Sequence, residues 1–238
     1  MSNDPSMKVI VTGASRGLGL ATAEIFATHG YDLLLNSRRE KNLMDTKQSL
    51  QKKFPNISIE AMAADLSTKK AAQDFGRWCL SQGNVSVLVN NAGSFAGGNV
   101  HDEEEGALEE MINTNLYSAY HLTRVIVPAM MRRKEGHIFN MSSIAGMKAY
   151  PGGGAYSISK FALHGFSANL RHEMMGYNIK VTTVFPGAAY TDSWAATGLE
   201  RKRFMEASDI AKMIFASSQL SATACVEDII LRPQTGDI

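Results

Sequence analysis

The sequence predicts an α/β fold: one parallel β-sheet covered by helices on both faces. Three observations carry this. Short apolar runs alternate with longer helical segments at the spacing of βαβ units. The first run opens into a glycine-rich turn and then a helix. A length of 238 residues, 45% of them hydrophobic, with no linker, repeat or low-complexity stretch, suits a single domain spanning residues 1–238.

Residues 8–12 are a short apolar run, read as a buried strand. The turn Gly13, Ala14, Ser15, Arg16, Gly17, Leu18, Gly19 follows, then an amphipathic helix to about residue 29. Strand, glycine turn and helix in that order can cradle a pyrophosphate. Glycines let the backbone approach it, and the helix start offers free N–H groups and a positive dipole end. The spacing is Gly-x-x-x-Gly-x-Gly, and such a turn by itself can also merely redirect the chain. Residues 31–36 form the second strand, ending at Ser37, Arg38 and Arg39. An acidic side chain at this tip would bond the ribose 2′-OH of NAD. Here Arg38 offers a planar fork to a 2′-phosphate and Arg16 can approach from the glycine turn, which favours NADP (NADPH). The plainer reading is two solvated arginines at a helix start.

A polar helix over residues 40–53 and a turn at Pro55 and Asn56 lead to a third strand at 57–61. Asp65 and Leu66 end that corner; Asp65 can accept from an adenine amino group or cap a helix starting near Ser67. The fourth strand, 85–89, closes with Asn90, Asn91, Ala92 and Gly93, small residues beside which an adenosine can run. Residues 103–134 are helical but interrupted near Thr114 and Asn115. An amide in that apolar stretch needs hydrogen bonds, whether to satisfy a kink or to serve a site. The fifth strand, 136–141, ends at Ser142 and Ser143; a loop of Pro151 and three glycines enters a helix over 155–175. A sixth strand, 178–185, is broken by Pro186 and Gly187. Residues 188–206, with Tyr190, Trp194, Phe204 and Met205, read as a substrate lid. A helix over 207–220, capped by Ser208, precedes a last strand at 226–231.

The formal net charge is +1, so no field points to nucleic acid. The first eight residues are polar and unlike a signal peptide, and no apolar run approaches the ~20 residues of a membrane span. Cys79 and Cys225 are unpatterned, consistent with a reduced, cytoplasmic setting. The six His form no metal-binding motif; His164, on the helical face of Tyr156 and Lys160, reads as a packing or interface residue.

The chemistry concentrates on Asn115, Ser143, Tyr156 and Lys160. On a helix, Tyr156 and Lys160 share a face one turn apart. A free tyrosine, with a pKa near ~10, is a poor proton-transfer group at neutral pH, and an ammonium beside it favours the phenolate. A drop of ~2 to ~3 units requires roughly 3 to 4 kcal/mol, to be shared by Lys160 and a nicotinamide charge. Tyr156 would then protonate a carbonyl oxygen, Ser143 would polarise it, Lys160 would hold ribose hydroxyls, and Asn115 would hold a water that passes the proton on.

Together these residues resemble the short-chain dehydrogenase/reductase family over nearly the full length. The matching features are residues 12–19, Asp65, residues 90–93, Asn115, Ser143 with Tyr156 and Lys160, and Pro186, Gly187 and Thr191. The resemblance implies a single Rossmann-type domain with a seven-stranded parallel sheet. It also implies hydride transfer between NADP(H) and a small-molecule carbonyl/alcohol substrate. Ser143, thirteen residues before Tyr156, is the implied serine rather than Ser142. Pro186, Gly187 and Thr191 would meet the nicotinamide, with the Ala189 backbone at its carboxamide. Homodimers or homotetramers are implied, built on the helices beginning near Asn115 and Ala155, the tetramer also using the last strand.

Residues 186–191, Trp194 and the ending 229–238 are similar to bacterial sepiapterin reductase-like members, which reduce a pterin side chain. A pterin edge needs a carboxylate, for which Asp192, Glu200 and Glu206 are candidates. The alternative, 3-oxoacyl-[acyl-carrier-protein] reduction, would use Arg201, Lys202 and Arg203 as a basic entrance. A non-catalytic NADP-binding sensor is the competing class; the intact set of four residues argues against it.

Overall fold

The computed structural model describes residues 7–191 and 198–237. Among these, seven strands form one sheet: β1 (Met7–Val11), β2 (Asp32–Ser37), β3 (Ile59–Ala63), β4 (Asn84–Asn90), β5 (Gly136–Met141), β6 (Ile179–Pro186) and β7 (Asp228–Leu231). Their order is β3-β2-β1-β4-β5-β6-β7 and every pairing is parallel. The chain runs outward from β1 to β3, then crosses back to β4 and runs outward again. The reversal leaves a crevice beyond the carboxyl ends of β1 and β4, where ligands bind such sheets.

Helices α1 (Gly17–Thr28), α2 (Glu40–Lys53), α3 (Lys69–Ser81), α4 (Ala107–Ile112), α5 (Ser118–Arg133), α6 (Gly154–Met174) and α7 (Ala207–Ser218) cover both faces. Adjacent strand residues point to opposite sides, so β1 feeds two cores. Val9 and Val11 pack with Phe26, Leu43 and Ile214 of α1, α2 and α7. Ile10 packs with Phe75, Leu122 and Leu170 of α3, α5 and α6. Each fully buried side chain of this size stabilises the fold by roughly 1.5–3 kcal/mol. Apolar residues on both faces explain why the strands read as near-continuous apolar runs.

Two caps differ from the sequence expectation. Thr68, not Asp65, caps α3, its Oγ1 accepting from Ala71 N–H at 3.3 Å. Asp65 instead accepts from Ser67 N–H at 3.1 Å, closing a turn one step earlier. Ser208 lies inside α7, and Glu206 occupies the capping position without a side-chain bond to the helix N–H groups. The helical interruption at Asn115 is one turn of π-helix, Asn113–Tyr117, between α4 and α5.

The described parts of segment 188–206 are less irregular than their composition suggests. Ala189 pairs with Met205, and Tyr190 N–H and Met205 N–H donate to Met205 and Ala188 carbonyls at 2.8 and 3.0 Å. A short 3-10 turn, Arg201–Arg203, follows the residues that lie outside the description, which include Asp192 and Trp194. No helix among the described residues is long and apolar enough to cross a membrane.

Candidate active site

Because every strand is parallel, the residues after β1, β2, β3, β4, β5 and β6 all emerge at one edge of the sheet. The glycine turn is braced from behind. Thr12 Oγ1 accepts from Asn91 and Ala92 N–H, both at 2.9 Å, and Asn91 Nδ2 donates to the carbonyls of Thr12 (2.9 Å) and Gly13 (3.3 Å). The Asn91 side chain therefore shapes the cradle. Gly13 and Gly17 have φ of 63° and 56°, a region that glycine occupies without strain. A Cβ on Gly19 would lie 2.3 Å from Gly13 O, so only glycine lets α1 start against the turn. Leu18 packs on the core and Arg16 occupies the N-cap position of α1.

The tip of β2 lies beside this turn. Ser37 Oγ is 2.9 Å from Ser15 Oγ. Arg38 and Arg39 are exposed, and neither pairs with a carboxylate among the described residues. Asp65 is exposed at the end of β3, whereas the Leu66 side chain is buried in the core. Thr191 closes the far side: a Cβ on Gly17 would sit 3.2 Å from its Cγ2. Pro186 ends β6, Gly187 N–H donates to Leu231 O at 2.8 Å, and Ala189 is buried.

The predicted proton-transfer residues meet at the end of β5 and the start of α6. Lys160 Nζ stands 5.7 Å from the Tyr156 ring centroid and donates to Met141 O at 2.9 Å. Burial draws its pKa down to about 8. Burial pushes the Tyr156 hydroxyl up to about 12, with the Ser143 hydroxyl pulling in the opposite direction. The expected lowering was to be shared by Lys160 and a nicotinamide charge; among the protein's own groups, burial of the phenol is the larger influence and acts upward. The Lys160 amine is directed to a carbonyl, and burial disfavours its charge. Ser143 sits at the N-cap of a short 3-10 turn, Ile144–Gly146, and accepts from Ala145 N–H at 3.2 Å. Ser142 turns inward, donating to Lys160 O at 3.1 Å.

Asn115 is buried and its amide is engaged by the protein. Nδ2 donates to Ser94 O (3.1 Å) and Ser159 Oγ (2.9 Å), while Oδ1 accepts from Ser94 N–H (2.8 Å). Through these bonds the side-chain amide ties the loop after β4 to α6. Gly93 makes the approach possible, since a Cβ there would lie 2.9 Å from Asn115 Oδ1 and 3.5 Å from Lys160 Nζ. His164 meets Phe185 edge-to-face at 4.9 Å, a packing histidine.

Phe95 belongs to none of the motifs visible in the sequence. Its side chain is 62% exposed and meets Tyr156 edge-to-face at 4.9 Å, an apolar wall against that ring. Its one sequence signal is an aromatic residue just beyond the small residues 91–93.

Residues 7–202 match the family model described as short chain dehydrogenase. The chain belongs to the short-chain dehydrogenase/reductase family. The chain is 33% identical to a sepiapterin reductase from Chlorobaculum tepidum over 97% of each chain. It is also 33% identical to an NADP-dependent 3-hydroxy acid dehydrogenase from Escherichia coli, over 76% of this chain and 72% of that protein. A metagenomic short-chain oxidoreductase in complex with NADP superposes with a TM-score of 0.84 at 30% identity, covering 96% of this chain and 97% of that one. L-Sorbose reductase from Gluconobacter frateurii, complexed with NADPH and L-sorbose, gives 0.87 at 26% identity over 95% of each chain. As a short-chain dehydrogenase, the protein is an oxidoreductase of a family that uses a nicotinamide cofactor. Its own residues fit that group: a cradle that a Cβ at Gly13 or Gly19 would obstruct, at a helix start, with two cations on the rim.

Proposed function

We propose that the chain is an NADPH-dependent carbonyl reductase in which Tyr156 delivers the proton. The observation that carries this is a half-buried Tyr156 with the Ser143 hydroxyl at hydrogen-bonding distance from its own and the Lys160 amine below its ring; burial holds the phenol toward its neutral form. A phenol held neutral is the form needed to protonate a carbonyl oxygen as it gains electrons. Ser143 polarises the same oxygen. Lys160 orients ribose hydroxyls, and Asn115 holds the loop at Ser94 in register with α6. The nicotinamide supplies the hydride when bound.

The cradle residues are Gly13, Ser15, Arg16, Gly17, Leu18 and Gly19, continued by Asn91, Ala92 and Gly93. Asp65 and the Leu66 backbone flank the adenine, and Pro186, Gly187, Ala189 and Thr191 flank the nicotinamide. NADPH is favoured because Arg38 and Arg39, next to Ser37 at the tip of β2, pair with no carboxylate among the described residues and are available to a 2′-phosphate.

Within the class, a sepiapterin-like or other small, flat ketone is the best-supported substrate. The sepiapterin reductase relative and the exposed Phe95 wall favour it. Carrier-bound thioesters are less favoured, because two of the three cations of the basic entrance are compensated, Arg203 donating only to the Asp237 carbonyl. Arg201 pairs with Glu206 and lies over the Tyr190 ring, and Lys202 pairs with Glu200 at 2.7 Å. The same pairs occupy two of the three carboxylates proposed for a pterin edge, leaving Asp192, outside the described residues. Segment 188–206 serves as the lid. Exposed Tyr117, Ile158 and Phe161, on the π-turn and α6, fit a homodimer or homotetramer contact.

The test is NADPH oxidation with sepiapterin and a 3-oxoacyl thioester run in parallel. Saturation with sepiapterin alone is expected. Saturation with the thioester alone would overturn the substrate, and inactivity on any carbonyl would favour a non-catalytic sensor.

A further inference from the structure

The loop that follows Gly93 is tied down at two points. Asn115 holds its start at Ser94. At its far end Glu103 reaches across to the first turn of α6, a contact between residues 52 apart in sequence. Its Oε1 and Oε2 lie 3.1 and 3.0 Å from the N–H of Ala155, the residue before Tyr156. Amides in the first helical turn have no partner within their helix, and a carboxylate there also meets the positive end of the dipole. Ala155 is 1% exposed, so water is a poor substitute.

Glycines build the fit. Gly154 has φ of 32°, and a Cβ there would lie 2.6 Å from Gly98 O and 2.7 Å from Glu103 Oε2. Gly98 N–H donates to Gly152 O at 3.1 Å. Asn99 O accepts from Asp102 and Glu103 N–H at 3.0 and 2.9 Å, which fixes the turn carrying the carboxylate. Between the two ties lies Phe95, against Tyr156.

We propose that Glu103 is a positioning residue. It locks the 94–103 loop, and with it Phe95, onto the first turn of α6, so that the Tyr156 ring meets a fixed wall on the substrate side. The proposal rests on the reading of Tyr156 as proton donor. What the site requires of Glu103 is an acceptor at full side-chain length, so Gln replaces it and Asp, one methylene shorter, does not.

Glu103→Ala, Glu103→Asp and Glu103→Gln are compared with wild type and Tyr156→Phe, using NADPH and 1-phenyl-1,2-propanedione as the carbonyl probe. Ala155 amide exchange is followed by NMR, and NADPH affinity by fluorescence. For Ala and Asp, we expect Ala155 exchange and KM for the diketone to rise about tenfold, with kcat falling by about as much. NADPH affinity stays within about twofold, and Gln returns every value to within about threefold of wild type. Unchanged Ala155 exchange or diketone kinetics in both Ala and Asp would overturn the proposal. So would Gln as impaired as Ala, or turnover lost only in proportion to NADPH-binding sites. If Ala does not fold, the contrast between Asp and Gln decides. Normal turnover by Tyr156→Phe would remove the underlying reading instead; an inactive Tyr156→Phe beside an unaffected Glu103→Ala would remove only Glu103.

Discussion

Burial moves Tyr156 and Lys160 toward their neutral forms: the phenol upward to about 12, the amine downward to about 8. An ultraviolet titration of wild type against Tyr156→Phe therefore reads a tyrosine that ionises near 12; a difference signal at 10 would contradict this. For Lys160 the sign of the stability effect follows from proton counting. Between pH 8 and 10.5 the unfolded chain binds more protons at this residue, so its contribution to stability rises with pH across that window. Below pH 8 the full cost, about 3 kcal/mol, is present. Lys160→Met is expected to raise Tm relative to wild type at pH 7, with the gap shrinking toward pH 10. A gap independent of pH would show that the amine carries no such cost. Arg38→Ala is expected to weaken NADPH by about 10- to 100-fold while sparing NADH, the loss of one charge-assisted contact. Equal losses for both cofactors, measured as Kd, would remove the 2′-phosphate assignment.

The glycine turn and the π-turn each convert small residues into close approach. Gly19→Ala forces a Cβ to 2.3 Å from Gly13 O, a clash with backbone that no rotamer relieves. It should destabilise the fold by about 1–3 kcal/mol and weaken cofactor binding at least tenfold. Wild-type stability and affinity together would mean that α1 does not pack as described. The elements were legible in the sequence where one signal dominated. The apolar run before Gly13, the polar 40–53 stretch and the break after β6 are such cases, and α2 keeps the expected bounds, Glu40–Lys53. The interruption at Asn115 was visible as a polar amide in an apolar helix, but its form was not. A π-turn depends on Asn115 reaching Ser94 and Ser159, contacts 21 and 44 residues away. Caps were read poorly for a similar reason: Asp65, Ser67 and Thr68 are all competent, and only backbone direction chooses Thr68.

Seven parallel strands put every candidate residue at one edge of the molecule, which is why residues scattered from Gly13 to Thr191 could be assembled from the sequence at all. Phe95 and Glu103 escaped because their roles depend on partners 61 and 52 residues distant, with no spacing rule to mark them. The lid run 200–206 looked like a source of free charge, whereas Arg201 and Lys202 meet its own glutamates and Arg203 donates to the Asp237 carbonyl. The central claim is that this arrangement makes Tyr156 the proton donor to a carbonyl. The most direct measurement is NADPH affinity and NADPH-dependent turnover in one preparation of Tyr156→Phe. The account predicts affinity within about threefold of wild type and turnover lower by about 10³-fold, the range for removal of a general acid. Turnover within tenfold of wild type would contradict it.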